Sequence, residues 1–273
     1  LPPRIAGHAL TLTARSDGRV FFVMPFEGRT LVGTTDRDFH GDPGDPQAEE
    51  RDVTWLLDEA NAALDGPPFR REDVLSVTCG VRTLLHDPAE RPSAVSREQR
   101  VFEEPDGVVH VVGGKLTTWR AVARTLVERA ARTVGKPLDD GRAGRTTPLP
   151  GGGATAPDAA AALARASGLD LATAERLVAR YGSRAPDVLA PARDDPSLLE
   201  PVGPTVPELR AELAWLRDAE FAETVDDALR RRLPRLLIDR PAPADLARAD
   251  ALLRGQRASE SAGDATGDGA SRR

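Results

Sequence analysis

Apolar and β-branched residues concentrate over residues 9–13, 20–26 and 30–34, three runs rich in Val, Phe and Thr. Ser16-Asp17-Gly18 and Glu27-Gly28 separate them, and both are turn signals, so the pattern predicts an antiparallel meander. Gly33-Thr34-Thr35-Asp36 closes the third run and reads as a strand end entering a turn, with Asp36 holding the loop by side-chain-to-backbone hydrogen bonds. A spacing of about 3.6 then appears: Val53, Leu56, Leu57, Ala60 and Leu64 fall on one helical face. Asp45 is placed to cap this helix, Pro46 suits its first position, and Gly66-Pro67-Pro68 stops it. Residues 73–81 are predicted as a short strand and 91–97 as a polar loop. A second hairpin follows, with arms at 100–102 and 108–112 around the turn Pro105-Asp106-Gly107. Its second arm feeds a helix over 118–134 in which Trp119, Val122, Ala123, Leu126, Val127, Ala130, Ala131 and Val134 form one stripe. That stripe predicts packing on a sheet or a neighbouring domain, and Arg120, Arg124, Glu128, Arg129 and Arg132 read as a solvated face.

The pattern changes again near Gly135. Pro137, Pro148, Pro150 and Gly151-Gly152-Gly153 mark residues 136–156 as an interdomain linker. Everything beyond is predicted helical. Asp170 starts one helix that Gly182 ends, a second follows Thr205, and Thr224-Val225-Asp226-Asp227 resembles a capping box leading into 228–237. A last helix spans about 243–254, and the Ser-, Ala-, Gly- and Asp-rich residues from 255 onward are expected to be a disordered tail. The fold class expected is α+β: a partial cofactor- and substrate-side domain at 1–135, the linker, and an all-α domain at 157–254.

Composition narrows the functional classes. The chain has 273 residues, 40% hydrophobic and 29% charged, which describes a soluble globular protein with a substantial core. No apolar run approaches the roughly 20 residues of a membrane span. A net charge of −6 argues against a general nucleic-acid binder. Cys79 stands alone, which excludes an internal disulfide and suits a reducing cytoplasm. His8, His40, His86 and His110 lack metal-ligand spacing with it, so no metal site is expected. Cys79 itself is expected to be a small buried residue, and the three tryptophans core or interface anchors. The start at Leu1-Pro2-Pro3-Arg4 is neither a signal peptide nor an initiator methionine, and suggests that the chain begins inside a longer one.

The chemistry concentrates at Gly113-Gly114-Lys115-Leu116-Thr117-Thr118, between the last predicted strand and the long helix. Glycines let a ligand approach the main chain, and the helix beyond offers unpaired N–H groups and the positive end of its dipole. The order strand, paired glycines, cation, hydroxyls, helix suits an anion or a cofactor edge. A plain hairpin-to-helix turn is the alternative.

Several separated motifs resemble the FAD-dependent, respiratory-type glycerol-3-phosphate dehydrogenases. They are Val20-Phe21-Phe22-Val23-Met24-Pro25-Phe26 with Gly33-Thr34-Thr35-Asp36, then Gly80-Val81-Arg82, Ser96-Arg97 and the Gly113–Thr118 stretch. Arg180-Tyr181-Gly182-Ser183-Arg184-Ala185 and Glu212-Leu213-Ala214-Trp215 are similar to that family's C-terminal domain. The resemblance implies a lobe of glutathione-reductase/D-amino-acid-oxidase type with an antiparallel substrate-side sheet. It implies FAD as cofactor, oxidation of glycerol 3-phosphate to dihydroxyacetone phosphate, and quinone as electron acceptor. It implies a cytoplasmic location with peripheral contact at the inner membrane face, and leaves a homodimer open. Carried over residue by residue, Arg82 and Arg97 bind the substrate phosphate, with Arg82 and Lys115 next to the chemistry. Gly113, Gly114, Lys115, Leu116, Thr117 and Thr118 face the flavin. Without the resemblance, Arg82 and Arg97 read as partners in surface salt bridges. The family's N-terminal half, with its Gly-x-Gly-x-x-Gly turn, has no counterpart here. Thr83, Cys79 and Trp119 replace the family's usual proline, alanine and tyrosine, and His8 remains unassigned. Two other readings stay open: a non-catalytic accessory module of the same fold, and a flavin enzyme using oxygen or another hydroxy acid.

Overall fold

Strand β1 (Leu10–Thr13), β2 (Val20–Phe26) and β3 (Arg29–Gly33) form one antiparallel sheet in chain order. The period of two decides its inner face. Leu12 pairs with Phe21 and Leu10 with Val23, so these side chains share a side, and Phe21 and Val23 are fully buried. The chain is seen as a computed structural model that describes residues 1–82, 98–138, 141, 144, 146–153 and 155–255. It divides into two units, Leu1–Pro148 and Leu149–Arg273.

Helix α1 (Glu50–Ala63) covers the inner face of the sheet. Its Trp55 meets Phe21 edge-on, with centroids 6.1 Å apart. The buried Glu59 carboxylate accepts from the backbone N–H groups of Arg15 (2.7 Å) and Ser16 (3.0 Å), tying the helix to the β1–β2 turn. The helix starts four residues later than Pro46 suggests. Asp45 and Gln47 lie in the preceding turn, and the N-terminus is set by Asp52, whose carboxylate accepts from the Glu49 N–H at 3.2 Å. Arg37, on the segment leaving β3, clamps both acids at 2.7–3.0 Å. Burial pushes the Asp52 carboxyl up, but the Arg37 guanidinium outweighs it and holds the group below its ordinary value.

Residues 73–81 do not form the predicted strand. Asp73 closes a 3₁₀ turn (Arg71–Asp73), and beyond it Val74 to Val81 find no ladder partner among the described residues. Cys79 is exposed rather than buried, with its Sγ 2.9 Å from the Pro46 carbonyl oxygen. The predicted loop at 91–97 lies outside the described residues. Strands β4 (Arg100–Glu103) and β5 (Val109–Val112) make the second hairpin, with Phe102 stacked on His110 at 5.1 Å.

Helix α2 (Trp119–Thr133) forms as the stripe predicts, yet none of its residues is buried. Trp119, Ala123, Val127 and Val134 are exposed, Val127 by 52%, so half of the stripe has no cover. The physical reason is local: within its unit α2 leans on β5, a strand of four residues that cannot shield four helical turns. The charged face is solvated as expected, with Arg120, Arg124, Arg129 and Arg132 all exposed, and it carries local pairings. Arg120 donates to the carbonyl of Gly144 and stacks on Trp119 at 4.7 Å, while Arg124 pairs with Glu128 at 2.7 Å.

In the second unit, α3 (Ala159–Ser167) and α4 (Leu171–Tyr181) pack around Leu163, Ala174 and Leu177. Asp170 caps α4, accepting from the Thr173 N–H at 2.9 Å, and Gly182 ends it at φ +56°. A short helix α5 (Ala185–Val188) follows. The unit is not wholly helical. Strands β6 (Pro201–Gly203) and β7 (Val206–Leu209) pair antiparallel, burying Val202 and Val206 against Leu213 and Leu216 of α6 (Arg210–Glu220). The single helix expected over 228–237 is also broken, into a π-helical turn (Asp227–Arg232) and α7 (Arg235–Ile238). Pro234 has no N–H to continue the ladder. The capping box itself forms, with Thr224 and Asp227 exchanging bonds at 3.0 and 3.1 Å. Helix α8 (Pro243–Leu253) closes the core through Ala249, Leu252 and Leu253. The predicted tail beyond Gly255 lies outside the described residues.

Candidate functional site

β5 ends at Val112, and the chain turns through two left-handed glycines, Gly113 at φ +76° and Gly114 at φ +95°. A Cβ on Gly113 would sit 2.6 Å from the Glu98 carbonyl oxygen, so this glycine is required by the hairpin's own packing. Lys115 is the exposed residue before a 3₁₀ turn, Leu116–Thr118, that continues directly into α2. The Lys115 carbonyl accepts both the Thr118 N–H and its hydroxyl at 3.0 Å, closing the turn. The amides of Leu116 and Thr117 lead the helix and have no intrahelical acceptor. Leu116 is 88% exposed, so this turn stands open to whatever approaches it.

Arg82 is exposed and forms an ion pair with Asp36 at the end of the Gly33-Thr34-Thr35-Asp36 segment. Asp36 therefore holds a side chain 46 residues away rather than only its own loop. The segment is anchored next door by the Arg37 clamp on α1, which gives the Asp36–Arg82 pair a fixed base. Arg97, the second predicted phosphate ligand, lies outside the described residues. His8 is exposed. The structure thus places Lys115, the glycine pair and the turn amides in one short stretch, and puts Arg82 on a separate anchor within the same unit. The Asp36–Arg82 bond and the Arg37 clamp were not read from the sequence. Charge complementarity at separations of 46 and 12–15 residues carries no local signal. Among the described residues, no helix is long and apolar enough to cross a membrane.

Residues 2–129 match the family model described as FAD dependent oxidoreductase. Residues 143–255 match that of the C-terminal domain of alpha-glycerophosphate oxidase. The glycerol-3-phosphate dehydrogenase of Synechocystis is 30% identical over 238 residues, which are 84% of this chain and 42% of that protein. Glycerol-3-phosphate dehydrogenase 1 of Mycobacterium tuberculosis is 36% identical over 241 residues, 82% of this chain and 43% of that protein. The structure of the Bacillus halodurans glycerol-3-phosphate dehydrogenase complexed with FAD matches with a TM-score of 0.67 and 28% identity, covering 84% of this chain and 45% of that one. The chain belongs to the FAD-dependent glycerol-3-phosphate dehydrogenase family, and spans less than half the length of these relatives.

Proposed function

We propose that this chain forms the substrate side and flavin edge of an enzyme that oxidises sn-glycerol 3-phosphate to dihydroxyacetone phosphate and passes the electrons to quinone. The observation that supports this most is the turn at 113–118, an exposed helix start preceded by two left-handed glycines and a lysine. FAD, when bound, supplies the acceptor for the hydride of the carbinol carbon. The residues present fit one end of that cofactor. The amides of Leu116 and Thr117 would hold the pyrimidine edge, where preorganised N–H groups and a helix N-terminus favour negative charge, while the Thr118 N–H closes the turn on the Lys115 carbonyl. Gly114 would let the ring approach because it carries no side chain; among the described residues a Cβ there would make ordinary contact with Gln99 and Val122 at 3.6–3.8 Å. Lys115 would orient the substrate oxygens as a compact cation. Arg82 and Arg97 would grip the phosphate dianion through their planar forks, with Asp36 aiming Arg82. The adenosine end of FAD needs a Gly-x-Gly-x-x-Gly turn that this sequence does not contain.

In this reading residues 1–135 are part of the flavin- and substrate-binding domain, 136–156 the linker and 157–254 the C-terminal domain. The assembled enzyme would meet quinone by peripheral contact with the cytoplasmic membrane face. The test joins this chain to the N-terminal portion of the Synechocystis relative. The expected product is yellow, retains FAD through gel filtration and oxidises glycerol 3-phosphate with a dye acceptor. Arg82→Ala should raise KM about a hundredfold, the loss of one charge-assisted contact of about 3 kcal/mol. A colourless, inactive fusion would leave the accessory-module reading standing, and an unchanged KM would remove Arg82 from the phosphate site.

A further inference from the structure

Three stretches that the redox chemistry leaves unused meet in the second unit, around a cleft of about 320 Å³. They are Pro150-Gly151 at the head of the glycine run, the end of α4 with Arg180, Tyr181, Gly182 and Arg184, and Trp215 and Glu220 of α6. The rim is built by an approach only glycine permits. A Cβ on Gly151 would stand 2.7 Å from the Tyr181 carbonyl oxygen, and one on Gly182 would stand 2.0 Å from that of Gly151. The Ser183 N–H donates to the Gly151 carbonyl at 3.1 Å and pins the two strands of chain together. The stretch read from sequence as an interdomain linker contributes, at Pro150 and Gly151, to the wall of a cavity.

The walls are cationic although the whole chain carries a net charge of −6. Arg180 lines the cleft with its side chain 16% exposed, 3.7 Å from the buried Glu212 carboxylate. Glu212 already serves Arg176 at 2.8 Å and the Tyr181 hydroxyl at 3.2 Å. Arg184 lies over the Trp215 indole at 4.5 Å, and Asp187 approaches it at 3.5 Å from the exposed side. The acid at the opposite wall, Glu220, accepts from the Trp215 indole N–H at 3.0 Å and faces Arg232 at 3.7 Å. Of the charged residues that line the cleft, Arg180 and Arg184 therefore outnumber Glu220. Planar guanidinium forks beside an aromatic face recognise an oxyanion attached to a small organic body. The volume lies at the lower end of small-ligand sites.

We propose that this cleft binds a small organic oxyanion, a phosphate monoester or a carboxylate, gripped by Arg180 and Arg184 with its body against Trp215. The proposal is independent of the redox reading, whose phosphate contacts are in the other unit. The experiment is titration of the full ¹⁵N-labelled chain with inorganic phosphate, glycerol 3-phosphate and succinate at matched ionic strength, following the indole N–H signals of its three tryptophans. Trp215→Phe assigns the relevant signal. The expected result is a saturable shift of the Trp215 indole alone, with a dissociation constant on the order of millimolar or tighter. Arg184→Gln should weaken it about tenfold or more, the worth of one charge-assisted contact, and Arg82→Gln should leave it unchanged. The three titrants separate phosphate from carboxylate preference. A Trp215 signal that stays put, drifts without saturating, or responds equally in Arg184→Gln would overturn the proposal.

Discussion

Glu212 is the residue on which the second unit most depends, and its removal is worth following through. Its side chain is wholly buried on α6 and accepts from Arg176 of α4 at 2.8 and 2.9 Å, from the Leu209 N–H at 2.8 Å, and from the Tyr181 hydroxyl at 3.2 Å. One carboxylate thus caps α6 and ties it to α4. Burial, then the Glu212 charge, push the Tyr181 phenol above its ordinary value, so the hydroxyl stays protonated and keeps donating. Glu212→Ala leaves two arginines and a phenol facing an empty acceptor. Breaking a buried pair from one side costs about 3–5 kcal/mol. The Arg176 side chain is 25% exposed, so water rehydrates part of it, and the lower end, about 3 kcal/mol, applies. For a unit of this size, with about 4 °C per kcal/mol, the melting temperature should fall by about 12 °C. Thermal unfolding followed by far-ultraviolet circular dichroism and tryptophan fluorescence reads this, Trp215 being the one tryptophan of the unit. Combining Glu212→Leu with Arg176→Leu should cost less than the sum of the two, by about 1–2 kcal/mol, because they share one interaction. A Glu212→Ala protein melting within about 3 °C of the parent, or a strictly additive pair, would refute the assignment.

Three further outcomes are expected. Phe21→Ala empties the centre of a small core and should destabilise the first unit by about 3–5 kcal/mol, measured by urea unfolding, and a loss below about 1 kcal/mol would mean that the β2–α1 interface is not its core. Gly113→Ala combines a left-handed backbone with a 2.6 Å approach to the Glu98 carbonyl oxygen, and should cost about 1–3 kcal/mol and speed amide exchange at 113–118, whereas unchanged exchange would show the turn to be tolerant. Bonds from the Thr205 hydroxyl and N–H, with Arg248 beside them, hold the Asp245 carboxyl below its ordinary value. A depressed folded-state value contributes stability that is present above the unfolded value of about 4 and lost as the pH falls through the folded one. The urea midpoint of the second unit should therefore drop in acid below about pH 4, and Asp245→Asn should flatten that limb, an identical acid slope in the variant counting against the role.

Periodicity made most of the elements legible. The Val- and Phe-rich run at 20–26 forms the expected strand, although it is apolar throughout, and only the fold shows that Phe21 and Val23 point inward. Asp170, Thr224 and Asp227 are side chains whose partners lie three residues away, so their caps could be read from spacing alone. The misreadings involve long-range competition. Asp45 and Pro46 carry a good local start signal for α1, but Arg37 draws Glu49 and Asp52 together and moves the start beyond them. The apolar residues at 202, 206 and 209 fit helical spacing as well as they fit a hairpin. What settles the hairpin is Asp245, 40 residues on, whose carboxylate accepts from Thr205 in its turn.

Of the candidate site, the order strand, glycine pair, lysine, hydroxyls and helix is a property of consecutive residues, and the sequence by itself determined it. The glycines are needed at that point for steric reasons that hold for any L-amino-acid chain. The partner of Arg82, the burial of Glu212 among arginines and the closure of the glycine run on α4 were decided only by the tertiary structure. Each depends on groups brought together across 30 residues or more of chain. An arginine's charge is written in its codon, whereas the carboxylate that aims it is chosen by the fold.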